Sequence, residues 1–328
     1  MKLVNYLKKT LASLNLTTDA KNYCPTNEMS GVCLKEPITE QKNTQLKNIS
    51  VEQPEFVPTG HFYSAIPSKD DRISHLSKKR SKDDLCGIEL SIEKQLQLVK
   101  SFSDYYSDII KFPEKSSENT RYFFENPAYS WGDAIFLHCM IRHNRPKKII
   151  EVGCGYSSAM IYDTNKIFFN NSIKILNIEP YPELLIKMIG DPREENGKII
   201  KNKIQLVDLS IFEQLESGDI LFVDSTHVSK LGSDVNYIFF QILPRIKPGV
   251  IIHFHDIFFN FEYPDEWISE GRVWNEGYIL RAFLEYNNAF EILLFTNYLA
   301  QYHKDYVYSY LPAVIKNPGA SMWIRKKL

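Results

Sequence analysis

Two things are scarce in this sequence: cysteine and long apolar runs. The five cysteines are odd in number and show no CxxC spacing in a chain of 328 residues. A disulfide framework is therefore not expected, and a reducing cytoplasm is. No stretch approaches ~18 consecutive apolar residues, so we expect no membrane span. The start, MKLVNYLKK, also lacks the apolar run and cleavage site of a secretion signal.

An excess of charge of either sign is missing as well. Lysine plus arginine number 39 and aspartate plus glutamate 40, which gives a formal net charge of -1. This balance argues against a broad surface for nucleic acid or for anionic membranes. Hydrophobic residues make up 44% of the chain, enough for a sizeable core. The composition therefore predicts a soluble cytoplasmic protein, and it leaves homo-oligomer formation open.

The composition changes along the chain and predicts three parts. Residues 1–58 are rich in Thr, Asn, Gln, Lys and Pro and are expected to be poorly ordered, because they can bury little apolar surface. Residues 59–145 are expected to form a helical extension. From 146 to 328, strand-like and helix-length segments alternate, which is typical of βαβ units and of a doubly wound, mostly parallel α/β sheet. The strands are expected at 173–178, 204–207, 219–223, 250–254 and 290–295, after a first one in KKIIEV and before a last one in SMWIRKKL.

The first of these strands runs into a glycine turn, EVGCGYSS. Gly153 and Gly155 allow a sharp turn and a close approach to a ligand, and the next helix offers free N–H groups. Ser158 stands where a dinucleotide-binding turn has a third glycine or alanine, which weakens a nicotinamide-cofactor interpretation. Glu151 suits a ligand with an amino group or a cationic centre; alternatively, it is a buried carboxylate that caps the turn.

The second strand ends in Glu179. A carboxylate at this position can accept hydrogen bonds from both hydroxyls of a ribose. The alternative is an exposed residue at the start of a helix, since Pro180 follows directly. Together with the glycine turn, Glu179 predicts a nucleoside-containing ligand at this end of the sheet.

These motifs resemble those of the class I S-adenosylmethionine-dependent methyltransferases. IIEVGCGYSS and NIEPYPE are similar to the first two motifs of that family, and GDILFVDSTH and LPRIKPGVIIHFHDI to the motifs of its fourth and fifth strands. The resemblance covers residues 146–328 and implies a Rossmann-like sheet of seven strands with the last one antiparallel. It also implies S-adenosylmethionine as cofactor. The implied cofactor-binding residues are Glu151, Gly153, Cys154, Gly155, Ser157, Glu179 for the ribose, and Asp208 near the adenine unless Asp208 caps the following helix.

Asp224 and Asp256 each end an apolar strand. Neighbouring parallel strands would bring these carboxylates together at the ligand-binding edge of the sheet. Carboxylate oxygens suit Mg²⁺, and an imidazole such as that of His255 shifts the preference toward Mn²⁺, Fe²⁺ or Zn²⁺. We therefore expect a metal site of Asp224, His255 and Asp256, with Mg²⁺ or Mn²⁺ first. His253 is expected inside the sheet as a core histidine with satisfied hydrogen bonds.

His227 lies three residues after Asp224. This D-x-x-H arrangement resembles that of macrocin-type sugar O-methyltransferases, which implies that Asp224 and His227 are catalytic and that His227 takes the proton of a hydroxyl. Catechol-type O-methyltransferases also have acidic metal ligands at these strand ends, whereas this sequence has His255-Asp256 in place of paired carboxylates or Asp-Asn. The alternative for His227 is a loop histidine bonded near Asp224.

The resemblance thus implies O-methylation of a small-molecule or glycan-precursor hydroxyl. Two alternatives stay open: an enzyme of the same fold with different chemistry, as in cephalosporin-hydroxylase-like proteins, and a non-catalytic cofactor-binding protein. The aromatic-rich segment 258–283 is a candidate acceptor lid or a plain core stripe. Its candidate pocket residues are Trp274, Asn275, Tyr278 and Arg281.

Overall fold

The structure is a computed structural model that describes residues 56–78, 81 and 84–328. Most of the segment expected to be poorly ordered, 1–58, lies outside these residues. The chain divides after Ser68 into two compact units. The described part of the first unit contains a turn in which the Gly60 N–H donates to the Ile66 carbonyl at 3.1 Å. Every helix and strand described below belongs to the second unit, and the three-part domain division stays a prediction.

A seven-stranded sheet has the order β3-β2-β1-β4-β5-β7-β6. β7 runs antiparallel to β5 and β6, and the other pairs are parallel. This topology confirms the doubly wound fold class and the antiparallel last strand. The strands are β1 Lys148–Val152, β2 Lys174–Ile178, β3 Gly197–Ile200, β4 Ile220–Val223, β5 Ile251–His255, β6 Phe290–Phe295 and β7 Ser321–Lys326.

Helices flank this sheet, and none within the described ranges is long and apolar enough to cross a membrane. The α-helices are α1 Lys69–Leu76, α2 Ile92–Ser101, α3 Ser103–Ile109, α4 Gly132–Asn144, α5 Tyr156–Phe169, α6 Glu183–Ile189, α7 Ser210–Glu213, α8 Asp234–Tyr237, α9 Asp265–Ser269, α10 Glu276–Leu284, α11 Thr296–Tyr302 and α12 Lys304–Tyr310. A π-helical turn, Ile238–Ile242, follows α8. Short 3-10 turns occur at Pro192–Glu195, Ile204–Leu206, Phe259–Phe261 and Pro312–Lys316.

The central strands carry the core. All residues of β4 and β5 are buried, because helices cover both faces of a parallel sheet. Residues 132–141 of α4 are buried as well. A helix that is buried on all sides belongs to the interior of a domain, so α4 is built into the same core as the sheet. Burying a single Leu, Ile or Phe side chain contributes about 1.5–3 kcal/mol.

The predicted third strand at 204–207 is wrong. β3 lies earlier, at Gly197–Ile200, and pairs with β2, whereas Ile204–Leu206 forms a 3-10 turn. The sequence of β3, GKII, is a weak signal for a strand, but an edge strand tolerates a lysine. Gly197 also fits a tight place, since a Cβ on it would lie 2.2 Å from the Tyr162 hydroxyl. The close packing of that glycine against α5 is not visible in the sequence.

Candidate active site

Gly153 brings the ends of β1 and β4 together. Its φ is +77°, and a Cβ built on it would lie 1.7 Å from the Asp224 carbonyl oxygen. The Asp224 N–H also donates to the Val152 carbonyl at 2.9 Å. Only glycine fits this position, because a side chain would collide with the backbone at the end of β4. The glycine turn therefore fixes Asp224 beside the first strand.

A cavity of about 440 Å³ lies at the carboxyl ends of β1, β2 and β4. This size is within the range of small-molecule sites, roughly 300–1,000 Å³. Glu179 lines the cavity and accepts hydrogen bonds from the Cys154 N–H at 3.2 Å and the Tyr181 N–H at 2.8 Å. Gly155 has open space on its Cβ side. The full lining is Val152, Gly153, Ile178, Glu179, Pro180, Tyr181, Lys203, Ile204, Gln205, Asp224, Ser225, Thr226, Lys230, Gly232, Ser233 and Asp234.

Glu151 lies behind the glycine turn and is fully buried. It accepts hydrogen bonds from the hydroxyls of Ser157 at 2.8 Å and Ser158 at 2.6 Å, and from the Asn177 amide at 2.6 Å. Burial raises the pKa of Glu151 to about 7, although the two serine hydroxyls act in the opposite direction. These contacts favour the structural alternative, a carboxylate that ties the turn to the first turn of α5. Ser157, whose hydroxyl donates one of these hydrogen bonds to Glu151, is also buried.

Asp208 is exposed and is not among the residues that line the cavity. Its carboxylate accepts a hydrogen bond from the Ser210 N–H at 2.9 Å, ahead of α7. This contact corresponds to the capping alternative. Asp208 does not follow the third strand, because β3 ends at Ile200. Its predicted place near an adenine stays a prediction without support from these contacts.

Four side chains meet where β4 and β5 end: Asp224, His227, His255 and Asp256, here called the strand-tip cluster. His227 Nε2 lies 3.4 Å from an Asp224 oxygen and 3.8 Å from an Asp256 oxygen. His255 Nε2 lies 3.6 Å from the other Asp256 oxygen. His227 and Asp256 have φ values of 60° and 54°, in the left-handed region that non-glycine residues rarely adopt. Such backbone strain is typical of functional sites.

Glu276 completes the cluster from α10, and the sequence interpretation missed it. It is fully buried and lies 2.8 Å from His227 Nδ1, and it accepts a second bond from the Ser225 hydroxyl at 3.1 Å. The His227 carbonyl accepts from the N–H groups of Asn275 and Glu276 at the start of the same helix. A signal was present: Glu276, Leu280 and Leu284 are spaced by four residues, which puts an acidic side chain on the buried face.

The charges of the strand-tip cluster depend on one another. Burial alone lowers the pKa of His227, but hydrogen bonds to Asp224 and Glu276 raise it well above its usual value. Burial likewise opposes a charged His255, and the carboxylates of Asp256 and Asp224 outweigh it and raise the pKa of that imidazole. For Asp224, burial raises the pKa, but His255 and His227 bring it below the usual value. The carboxylates around His227 therefore favour its imidazolium form.

The expected metal ligands Asp224, His255 and Asp256 do lie in this cluster. However, the parts of the chain that the structure describes contain no group of three or more His, Cys, Asp or Glu placed to hold a metal ion. His227 Nε2 faces both carboxylates, so an imidazolium stands in the space that a bound cation would need. The donor set as arranged therefore does not fit a ready metal site.

Tyr129 and Asp133 cover the cluster from the N-terminal side. The Tyr129 ring lies 5.1 Å from the His255 ring, and its hydroxyl is buried without a hydrogen-bond partner in the described part of the chain. Asp133 accepts a bond from the Ala320 N–H at 2.9 Å. Burial raises the pKa of Asp133 to about 6, with His255 acting against it.

His253 is fully buried within β5, as expected. Its ring stacks on Phe222 with centroids 4.0 Å apart and also contacts Trp323 at 4.4 Å. Both ring nitrogens lack a hydrogen-bond partner among the described residues, so the expectation of satisfied hydrogen bonds is wrong. Burial lowers the pKa of His253 well below its usual value, and the imidazole is neutral. It packs as an aromatic core residue.

An aromatic wall adjoins His227. The Trp274 ring lies 4.5 Å from the His227 ring and 5.0 Å from the Trp267 ring. Of the other expected pocket residues, Asn275 bonds to the backbone of Ser229, and Tyr278 is exposed and donates to Glu262 at 2.9 Å. The basic residue beside the wall is Arg272, which the sequence interpretation did not single out.

A family model described as a methyltransferase domain, Methyltransf_24, matches residues 150–257. A protein of Archaeoglobus fulgidus that carries no functional name is 34% identical over 179 residues, which are 53% of this chain and 80% of that protein.

Among solved structures, the chain is similar to the methyltransferase PaMTH1 of Podospora anserina, bound to S-adenosylhomocysteine, with 16% identity, a TM-score of 0.41 and coverage of 84% of this chain and 100% of that one. It is also similar to the O-methyltransferase TomG of Streptomyces achromogenes, in complex with S-adenosylmethionine, with 12% identity, a TM-score of 0.39 and coverage of 79% and 96%.

The family match covers residues 150–152 of β1 and all of β2, β3, β4 and β5. The strand order and the antiparallel last strand agree with the topology that the motifs implied. Residues 150–257 therefore form a methyltransferase domain, and the chain is an S-adenosylmethionine-dependent methyltransferase.

Proposed function

We propose that this methyltransferase transfers the methyl group of S-adenosylmethionine to a hydroxyl oxygen of a small molecule or glycan precursor, with His227 as the general base. The observation that carries the proposal is the buried pair of His227 and Glu276, 2.8 Å apart. A carboxylate on Nδ1 holds the imidazole in one orientation and directs Nε2 toward the strand tips. A base oriented by a second group is the arrangement that activates a weak oxygen nucleophile.

The cofactor is proposed to lie in the 440 Å³ cavity, with its methionine part along Gly153, Cys154 and Gly155. Of these, Gly153 lines the cavity and Gly155 has open space on its Cβ side. Glu179 would accept hydrogen bonds from the ribose hydroxyls, since the bonds it already accepts leave lone pairs on its two oxygens. Asp224 lines the same cavity, and its negative charge favours a positively charged sulfonium nearby. This placement makes the glycine turn and Glu179 the main cofactor contacts.

The proposed step is an in-line displacement. The acceptor oxygen attacks the methyl carbon, the S–CH₃ bond breaks as the O–CH₃ bond forms, and the sulfonium becomes the neutral thioether of S-adenosylhomocysteine. The hydroxyl proton passes to His227 Nε2, while Glu276 stabilises the imidazolium that results. His227 must first release its resting proton, because its pKa is raised above the usual value.

The raised pKa of His227 fixes the sign of the pH dependence. The neutral imidazole is the active form, so kcat/KM should rise with pH and level off only above the usual histidine range. An inflection of kcat/KM below about pH 6.5 would instead show that the groups around His227 do not stabilise its cation.

Metal assistance by Asp224, His255 and Asp256 is the second proposal. Its support is the nearness of two carboxylates and an imidazole at the strand tips. It requires His227 to turn away from Asp224 and Asp256, since its Nε2 now lies within 4 Å of both.

The test compares the full-length wild type with His227→Asn and with His303→Asn, a control histidine at the start of α12, outside the cluster. Release of S-adenosylhomocysteine is measured with phenol, catechol and sugar acceptors, with and without EDTA. Calorimetry gives the affinity for S-adenosylmethionine. We expect unchanged cofactor affinity and a loss of about 10²–10⁴-fold in kcat for His227→Asn alone. Full turnover by His227→Asn would refute the base, and loss of activity in EDTA that Mg²⁺ or Mn²⁺ restores would favour the metal.

A further inference from the structure

Arg272 is held in place by two indole rings. Its guanidinium carbon lies 4.4 Å from the Trp267 ring centre and 5.2 Å from that of Trp274. The two indoles meet edge to face at 75°. Contacts of a guanidinium with two aromatic faces restrict a side chain that is otherwise among the most flexible. Arg272 is thus a pre-positioned cation.

Trp274 links this cation to the proposed base. Its ring lies 5.2 Å from the Arg272 guanidinium carbon and 4.5 Å from the His227 ring. The positive charge of Arg272 also acts on Asp256, in the strand-tip cluster. A single ring placed against Trp274 can therefore reach both cations.

The negative charges around His227 make a fixed cation necessary for binding an anionic acceptor. Asp224, Asp256 and Glu276 surround His227, and they would repel an anionic acceptor. The exposed carboxylate of Glu270 is bound through one oxygen, 3.2 Å from Nε and 3.1 Å from Nη2 of Arg272. A guanidinium has five N–H donors, so one such contact leaves others for a ligand. The side chain of Arg272 is also 27% exposed, hence accessible.

We propose that Arg272, Trp267 and Trp274 form the acceptor subsite, and that the acceptor is a hydroxylated ring that carries a carboxylate. The carboxylate pairs with Arg272, the ring lies against Trp274, and the hydroxyl reaches His227 Nε2. The inference rests on the proposed function, because it takes His227 as the base. An aromatic hydroxy acid and a uronic acid share this chemistry, since indoles pack against planar rings and against the C–H faces of sugars.

The test measures binding rather than turnover. Trp267 and Trp274 serve as fluorescent reporters in the full-length protein with S-adenosylhomocysteine present. Two matched pairs of probes are titrated: 3,4-dihydroxybenzoate against its amide, and glucuronate against glucose. The variants are Arg272→Gln, Arg272→Lys and, as a matched control, Arg245→Gln, whose guanidinium donates to the Gln241 carbonyl at 2.7 Å.

The wild type and Arg245→Gln should bind one acid at least about tenfold more tightly than its neutral partner, as expected for one charge-assisted contact. Arg272→Gln should lose this preference, and Arg272→Lys should keep part of it. The pair that shows the preference identifies the ring. Equal binding of acid and neutral probe, an unchanged preference in Arg272→Gln, or no binding of either acid would overturn the subsite. Acid preference without methyl transfer would instead count against the proposed function alone.

Discussion

Replacing Glu276 by Gln tests whether the buried carboxylate sets the properties of His227. The substitution keeps the shape of the side chain but removes a negative charge 2.8 Å from Nδ1. Two opposite unit charges about 4 Å apart attract by about 4 kcal/mol where the effective dielectric constant is 20. Glu276 is fully buried, so solvent screens this attraction little. Glu276 and Asp224 together raise the pKa of His227, hence losing one of them should bring that pKa toward its usual value.

Two measurable effects follow for Glu276→Gln. The inflection of kcat/KM against pH should move to lower pH, since the cationic form of His227 loses a partner. At its own pH optimum, kcat should fall by about 10²–10⁴-fold, because the imidazole is a weaker base and its tautomer is no longer fixed. Affinity for S-adenosylmethionine should stay the same, as Glu276 does not line the cavity.

The control for this variant is Glu285→Gln, directly after the same helix, where the carboxylate pairs with Arg281 and is 35% exposed. This control should leave the pH profile and kcat unchanged. A variant that merely loosened α10 would lower Tm and scale activity equally at all pH values. A Glu276→Gln enzyme with the pH inflection and kcat of the wild type would refute the proposal that Glu276 raises the pKa of His227 and orients its imidazole.

Two further predictions concern the cofactor side. Gly153→Ala should abolish cofactor binding and lower the Tm measured by thermal unfolding by several degrees, because the added Cβ would lie 1.7 Å from the Asp224 carbonyl oxygen. A Gly153→Ala variant with the Tm of the wild type would contradict this close approach. In calorimetry, Glu179→Ala should weaken the affinity for S-adenosylmethionine about tenfold or more, whereas Asp208→Ala should change this affinity less than about twofold, since of the two only Glu179 lines the cavity. Equal losses of affinity in the two variants would support a contact of Asp208 with the adenine.

Local sequence patterns predicted most of the sheet. β1, β2, β4, β5 and β6 begin within one residue of the positions expected from their apolar runs. Buried parallel strands give continuous apolar segments between turn residues, a signal that is strong even in one sequence. β3 gives no such signal, because it is a short edge strand in which Lys198 separates Gly197 from Ile199. The error in β3 then displaced the expected adenine contact to Asp208.

The same distinction applies to the site. Gly153, Glu179 and Asp224 were predictable because each follows directly from where a strand ends, and they line one cavity. The positions of Glu276 and Arg272 depend on how a later segment folds back over the sheet. The four-residue spacing of Glu276, Leu280 and Leu284 predicts a buried face for Glu276, but no local spacing specifies that it meets His227. Glu276 lies 49 positions from His227 in the sequence and 2.8 Å from it in the fold.

The strand-tip cluster also shows why the residue types alone left the chemistry open. Two carboxylates and two imidazoles can hold a metal, or the imidazoles can themselves be the cations that the carboxylates need. The choice depends on which way His227 Nε2 points. Its left-handed backbone and the bond from Nδ1 to Glu276 direct Nε2 between Asp224 and Asp256. A residue on a distant helix therefore decides whether His227 competes with a metal for this space or leaves it to one.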